Sequence, residues 1–296
     1  MSERIVIIGP GRMGLALGAA LRHSGEVERL TFYGRSLEPP PHPMFEAAPD
    51  DDTSIPTVEY RTGIPPLPPE TTVLLLTVPD SALSDVVHDV MAAGPAPPGC
   101  VALHVSGALS TDVLAPLHGI GYGIGSMHPL QTVADPWFSW DRILGVAFAI
   151  SGDPAGTRAA HRLVNALEGK PLIIAPSLRA VYHAAAVMAS NNIVAVVAAA
   201  SRLLEEAGVP EEEAVPALLP LVQGTIDNIR HLGLLPSLTG PIARGDVDTV
   251  RLHLARLSGE ERELYSALGL EVLRLARAAG LDPRKADETR ELLEPA

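Results

Sequence analysis

A single cysteine, Cys100, occurs in 296 residues. No disulfide can form within the chain, and no cysteine-built zinc site can be assembled. Cys100 reads as a small core residue at the start of a strand, and no metal site is expected. Lysine is nearly as scarce: Lys170 and Lys285 are the only two, and every other basic side chain is arginine. Very few positions can therefore supply a reactive lysine amine. Positive charge is also in deficit, with 35 acidic against 22 basic side chains and a formal charge of −13. That balance excludes a general nucleic-acid or anionic-membrane surface, while leaving room for a local basic pocket. The longest apolar run, near 184–200, is interrupted by Ser190, Asn191 and Asn192. It reads as a buried helix and not as a membrane span. The first strand begins at once, which leaves no signal peptide, so a cytoplasmic location is expected.

What is present begins with Arg4-Ile5-Val6-Ile7-Ile8-Gly9-Pro10-Gly11-Arg12-Met13-Gly14. It reads as a buried strand, a tight glycine turn and the first turn of a helix. In that context the G-x-G-x-x-G spacing points to a dinucleotide. Gly9 permits the tight turn, Gly11 lets the backbone approach a pyrophosphate, and Gly14 lets helix and strand pack closely. The free N–H groups at the helix start then face the phosphates. A glycine-rich turn without a ligand is the bland alternative.

Strand and helix patterns alternate through the first half, which predicts a mostly parallel sheet with crossover helices. Val73–Val78 is a continuous apolar run, as a doubly buried strand requires, and Asp80 is placed to cap the helix after it. Ser36–Pro56 is rich in proline and acid, including Asp50-Asp51-Asp52, and reads as a surface loop. The last strand is expected at Leu172–Ala175. From Leu178 onward the pattern is helical, with one helix spanning Leu178–Ala207 and others at Glu211–Leu232, Asp246–Leu257, Glu260–Ala279 and Pro283–Leu293. The expected fold class is an α/β Rossmann domain over 1–176 followed by an all-α domain over 177–296. The long helix is apolar nearly all round, so part of it is expected to pack against a second subunit.

Strand two ends Tyr33-Gly34-Arg35-Ser36, with no acid to bond a ribose 2′-hydroxyl. Arg35 offers a planar donor fork suited to a phosphate, and Ser36 a hydroxyl beside it. NADP is therefore expected over NAD, and Arg12 is either a second phosphate contact or a plain surface arginine. Ligands of such sheets lie beyond the carboxyl ends of the strands. Val78 and Pro79 should line the nicotinamide side, Ser106 the substrate. His128, at another strand end, is either a structural histidine or a donor of a proton to a carbonyl or imine. On the long helix His183, Val187, Ser190 and Asn191 share one face at helical spacing. These polar groups either hydrogen-bond between helices or look into a cleft. In Leu238–Asp246, Asp246 is a helix cap and Arg244 is free to grip a carboxylate or phosphate.

The glycine turn, His128-Pro129-Leu130-Gln131-Thr132, Tyr182-His183-Ala184-Ala185-Ala186 with Ser190-Asn191, and Leu238–Asp246 together resemble the bacterial Rossmann-like NADP oxidoreductases of uncharacterised substrate. The C-terminal half of those proteins is a domain of unknown function. The resemblance covers nearly the whole chain and extends to ketopantoate, pyrroline-5-carboxylate and 6-phosphogluconate-type reductases. It implies a Rossmann domain, a helical domain that forms a homodimer, and a small-molecule substrate in a cleft between domains. Their positions make His128, His183 and Asn191 the catalytic candidates and Ser106, Ser190 and Arg244 the substrate-binding ones. One departure matters. Ketopantoate-type enzymes carry a catalytic lysine one turn before an asparagine on the long helix, whereas Val187 stands there before Asn191. The expected activity is thus hydride transfer to or from a small carbonyl or imine. The alternatives are a pyrroline-5-carboxylate-reductase-like imine reductase and a non-catalytic NADP(H) sensor.

Overall fold

The computed structural model describes residues 2–46, 57–137 and 140–294. Apolar alternation in the first strand sets the architecture. Ile5 and Ile7 point to one face of the sheet, and Val6 and Ile8 to the other, all fully or nearly fully buried. A strand buried on both faces belongs in the middle of a parallel sheet covered by helices. The strands are β1 (Glu3–Ile8), β2 (Val27–Gly34), β3 (Thr57–Thr62), β4 (Val73–Leu76), β5 (Val101–His104), β6 (Gly123–Pro129), β7 (Ala147–Gly152) and β8 (Lys170–Ile173). They form one sheet in the order β3-β2-β1-β4-β5-β6-β7-β8. The first six are parallel, β7 runs antiparallel to β6, and β8 runs parallel to β7. This is a Rossmann domain extended at one edge.

Helices α1 (Arg12–His23), α2 (Asp80–Ala93), α3 (Ala115–His118) and α4 (Pro154–Ala166) cover the two faces. Leu15, Leu17 and Leu21 of α1 and Leu163 and Val164 of α4 join Ile5, Ile7, Phe32 and Leu75 in one core. Leu83, Val87 and Val90 of α2 and Leu117 of α3 join Val6, Ile8, Leu74 and Leu76 in the other. Each such side chain contributes roughly 1.5–3 kcal/mol by burial. The sheet is therefore held from both sides, and the carboxyl ends of β1, β4, β5 and β6 open along one rim.

By its internal contacts the chain divides into two compact units, Met1–Ser190 and Asn191–Ala296. The first takes in helix α5 (Arg179–Ala189), so the division falls one helix later than the expected boundary at 176/177. The second holds α6 (Asn191–Glu206), α7 (Glu211–Leu232), α8 (Pro241–Arg244), α9 (Val247–Arg256), α10 (Gly259–Ala278) and α11 (Pro283–Leu293). Ile242, Val250, Leu254, Leu273, Ala286 and Leu293 form its core, between α8, α9, α10 and α11. Asp246 caps α9, accepting from the Thr249 N–H at 3.2 Å and Thr249 Oγ1 at 2.8 Å.

Four expectations are corrected. The single helix over 178–207 is broken at Ser190, whose φ of −129° and ψ of −78° leave the helical region. Its N–H donates to Val187 O at 3.3 Å, a three-residue closure, and serine and asparagine side chains compete with the regular ladder. His183 and Asn191 consequently do not share one continuous helical face. The apolar stretch 176–206 is also not buried by this chain, with 11% of its most apolar window covered. Next, β8 occupies Lys170–Ile173, because pairing of Ala147 with Lys170 sets its register, not the apolar run at Leu172–Ala175. Finally, Pro79 takes the N-cap position of α2 and Asp80 opens the helix without a side-chain cap bond. The Asp50-Asp51-Asp52 part of the expected surface loop lies outside the described residues.

Candidate active site

Beyond Ile8 the chain turns sharply at Gly9, whose φ of +104° is left-handed backbone that L side chains avoid. A Cβ on Gly9 would also stand 2.8 Å from Val78 Cγ1. A Cβ on Gly14 would overlap Gly9 O and stand 2.5 Å from Thr77 Oγ1. Thr77 Oγ1 itself donates to Gly9 O at 2.7 Å, stitching the turn to the end of β4. Gly11 differs from both. A Cβ there would meet nothing within 4 Å, so its backbone faces open space. Gly11 is the N-cap of α1, gives no side-chain cap, and is followed by no acid in the first turn. The amides at the start of α1, over Arg12, Met13 and Gly14, therefore keep their capacity for an anion, with the helix dipole behind them. Pro10 completes the turn.

One strand away, Ser36 O accepts from Tyr60 Oη at 2.9 Å and from Thr62 Oγ1 at 3.0 Å. These bonds from β3 fix the backbone just past β2 and leave Arg35 and Ser36 exposed. Arg35 has no ion-pair partner among the described residues. Arg12 is exposed at the other end of the turn. On the β4 side, Val78 is half-buried and Pro79 exposed.

The chemistry gathers at β5 and β6. His128, half-buried near the end of β6, has its Nδ1 2.8 Å from Tyr182 Oη. Its ring meets those of Tyr182 and His183 edge to face, at centroid distances of 5.6 and 6.0 Å. Gly107, just past β5, makes that approach possible. A Cβ there would stand 2.5 Å from His183 Cδ2 and 2.9 Å from His128 Nε2. Beneath the rings lies Arg179, 1% exposed. Its guanidinium donates to Ser126 Oγ at 3.0 Å and to Ser106 O. Arg179 Nε has no hydrogen-bond partner, and among the described residues no carboxylate reaches ion-pair distance of this arginine. Ser126 Oγ continues the network to Ser151 Oγ at 2.8 Å.

A buried, unpaired guanidinium controls the groups around it. Burial, then Arg179 and His183, pushes His128 down to about 4, so it is uncharged at neutral pH. Burial, then Arg179, also brings His104 to about 4. His104 is fully buried, and its Nδ1 accepts from the Ser106 N–H at 3.2 Å, which is the structural role. The Ser106 hydroxyl accepts from the N–H groups of Ala108 and Leu109 at 3.2 and 3.0 Å and so shapes the β5 loop. Burial raises the Tyr182 hydroxyl, and Arg179 pulls it back.

The first unit thus brings His128 and His183 together with Ser106 below them. Ser190 closes this unit at the helix break, while Asn191 and the exposed Arg244 belong to the second unit. Sequence reasoning passed over Tyr182 and Arg179. Tyr182 lies 54 positions from His128, and Arg179 looks like any helix-start arginine until its burial is seen. The small residue at Gly107 was the one available signal, because it sits where a strand end must admit two rings.

Comparison with known proteins identifies two domains. A model described as a Rossmann-like domain matches residues 51–129, and the domain of unknown function DUF2520 matches residues 146–272. The chain thus joins a Rossmann-like domain to a DUF2520 domain. The DUF2520 match begins within the sheet, ahead of β7, and runs into α10. No curated protein matches the sequence. Among solved structures, a Thermotoga maritima protein superposes with a TM-score of 0.68 at 21% identity, over 93% of this chain and 98% of that one. Plasmodium falciparum pyrroline carboxylate reductase gives 0.59 at 13% identity, over 99% and 98%. A reductive aminase from Aspergillus terreus gives 0.54 at 17% identity, over 99% and 93%. Identities this low carry the fold.

Proposed function

We propose that this protein is an NADP-dependent oxidoreductase that moves hydride to or from a small carbonyl or imine substrate. The observation that carries the reading is the open space at Gly11, against uncapped helix amides, on the same strand rim as the His128–Tyr182 pair. A pyrophosphate fits there, held by the backbone of Gly9, Pro10, Gly11, Arg12, Met13 and Gly14. Arg35 and Ser36 would hold the 2′-phosphate, and Val78 and Pro79 would flank the nicotinamide. When bound, that ring supplies or takes the hydride. The Plasmodium reductase carries NADP and the Aspergillus aminase NADPH, which supports the same cofactor here.

The chain's own residues contribute position and proton control. His128 and Tyr182 present one exchangeable proton between them, and Arg179 biases its location. His183, Ser190, Asn191 and Arg244 remain candidates for holding the substrate. No lysine belongs to the β5–β6 cluster, since Lys170 opens β8 and Lys285 lies in α11. The lysine-dependent route of ketopantoate-type enzymes is thereby disfavoured. NADPH oxidation against a panel of 2-oxo acids and cyclic imines tests the reading. Turnover on one class, abolished by Gly11→Val in folded protein, is expected. Tight NADPH binding without turnover on any of them would make it a cofactor-binding sensor.

The protein acts as a soluble, cytoplasmic homodimer in this reading. Val194, Leu219 and Leu221 are 70%, 53% and 69% exposed on α6 and α7. A second copy, not lipid, covers them. The apolar stretch over 176–206 is broken at Ser190, carries exposed Asn191 and Asn192, and is anchored in the first unit by Arg179. None of this suits a span through hydrocarbon.

A further inference from the structure

We propose that the Tyr182 hydroxyl carries the proton given to the substrate, and that His128 Nδ1, 2.8 Å behind it, returns that proton. This rests on the oxidoreductase reading and deepens it. The sequence singled out His128 as the acid itself, but the site is not built for an imidazolium. The buried Arg179 charge lies close by, with no carboxylate at ion-pair distance among the described residues, and His183 stands beside the ring. Among the groups facing His128, Arg179 and His183 disfavour a second positive charge. From β5 come His104 and the Gly107 backbone, and from α5 come Arg179, Tyr182 and His183. Among the described residues, Asp80 at the start of α2 is the acid that acts on Arg179, and it does so without an ion pair.

A neutral imidazole holds one proton, on either nitrogen. With the proton on Nε2, Nδ1 accepts from Tyr182 O–H, and the pair rests. With the proton on Nδ1, it donates to Tyr182 Oη, and the tyrosine O–H is free to turn to a substrate. In the reductive direction the substrate carbon would receive a hydride, which a bound nicotinamide dinucleotide would supply. The Tyr182 O–H bond breaks as an N–H or O–H bond forms on the adjacent imine nitrogen or carbonyl oxygen. The phenolate then takes the Nδ1 proton while His128 Nε2, on the Gly107 and His183 side, gains one from solvent. One hydride and one proton are consumed, and the protein is restored. Arg179 favours the phenolate while it lasts. Tyr182 is then the catalytic residue, and His128 and Arg179 are positioning residues.

The deciding experiment needs no substrate. Full-length protein labelled with ¹⁵N-histidine is titrated by NMR between pH 5.5 and 8, with and without NADPH, as wild type and Tyr182→Phe. The expected result is an uncharged His128 throughout, with both ring nitrogens shifting in Tyr182→Phe as the tautomer balance changes. A His128 that protonates near pH 6.5, or one blind to the loss of the Tyr182 hydroxyl, overturns the proposal. NADPH affinity, read by fluorescence on the same samples, should be equal in both proteins. Loss of NADPH binding in the wild type would sink the oxidoreductase reading and leave the NMR result standing by itself. With NADPH and 1-pyrroline-5-carboxylate or pyruvate as probe, Tyr182→Phe should lower kcat about a hundredfold with little change in KM. His128→Asn should lower kcat less, again with little change in KM. Wild-type kcat in Tyr182→Phe would contradict the assignment.

Discussion

Gly107 and His128 show how much of the site turns on single residues. Adding a methyl group at Gly107 would press on His183 Cδ2 and His128 Nε2, and rings, unlike flexible chains, must move as units. Gly107→Ala should therefore fold, bind NADPH and lose at least about tenfold in turnover through misplacement of the pair. Circular dichroism and NADPH fluorescence would separate that outcome from simple unfolding. The histidines also link stability to pH. The folded values of His104 and His128 lie at about 4, below the unfolded value of 6.5. Unfolded chains thus take up protons first, so stability is full above pH 6.5 and is lost as pH falls toward 4. His104, fully buried, should alone account for on the order of 3 kcal/mol of that loss. Thermal unfolding from pH 7.5 to 4.5 should show the fall, and His104→Asn should make it shallower.

At the scale of elements, the β1–turn–α1 segment was legible because its chemistry is local. Gly9, Gly11 and Gly14 sit where a strand must become a helix within a few residues, and the structure gives each a different reason to lack a side chain. That difference is testable. Gly14→Ala sets a Cβ against the Gly9 carbonyl and should destabilise the fold by a few kcal/mol, roughly the cost of overpacking. Gly11→Val meets only open space and should leave the melting temperature unchanged while removing NADPH binding. Equal melting losses in both variants would show that the space at Gly11 is not a ligand site. Asp246 was legible for the same local reason, as an acid just before a helix and three residues from a threonine. What escaped depended on partners far away in the chain. The β8 register comes from β7, the break at Ser190 from competition between side chain and ladder, and the Tyr182–His128 pair from a helix docking 54 residues later.

For the whole molecule, the apolar residues of α6 and α7 are the unfinished surface. Sequence hydrophobicity announced a buried helix, and the single chain leaves it largely bare, as the proposed homodimer requires. Charge introduced there, as in Leu219→Asp with Leu221→Asp, should shift sedimentation from the proposed dimer to monomer and leave the β1 turn intact. A Rossmann-like domain joined to DUF2520 is compatible with many substrates, and under the proposed function the chemistry lies at the rim where β1, β4, β5 and β6 end. The most direct test of the central claim is calorimetric titration of the wild type and Arg35→Asp with NADPH and NADH. The account predicts that the wild type binds NADPH at least about tenfold more tightly than NADH, a difference of about 1.4 kcal/mol, and that Arg35→Asp abolishes the preference. Equal affinity for the two cofactors in the wild type, or binding of neither, would contradict it.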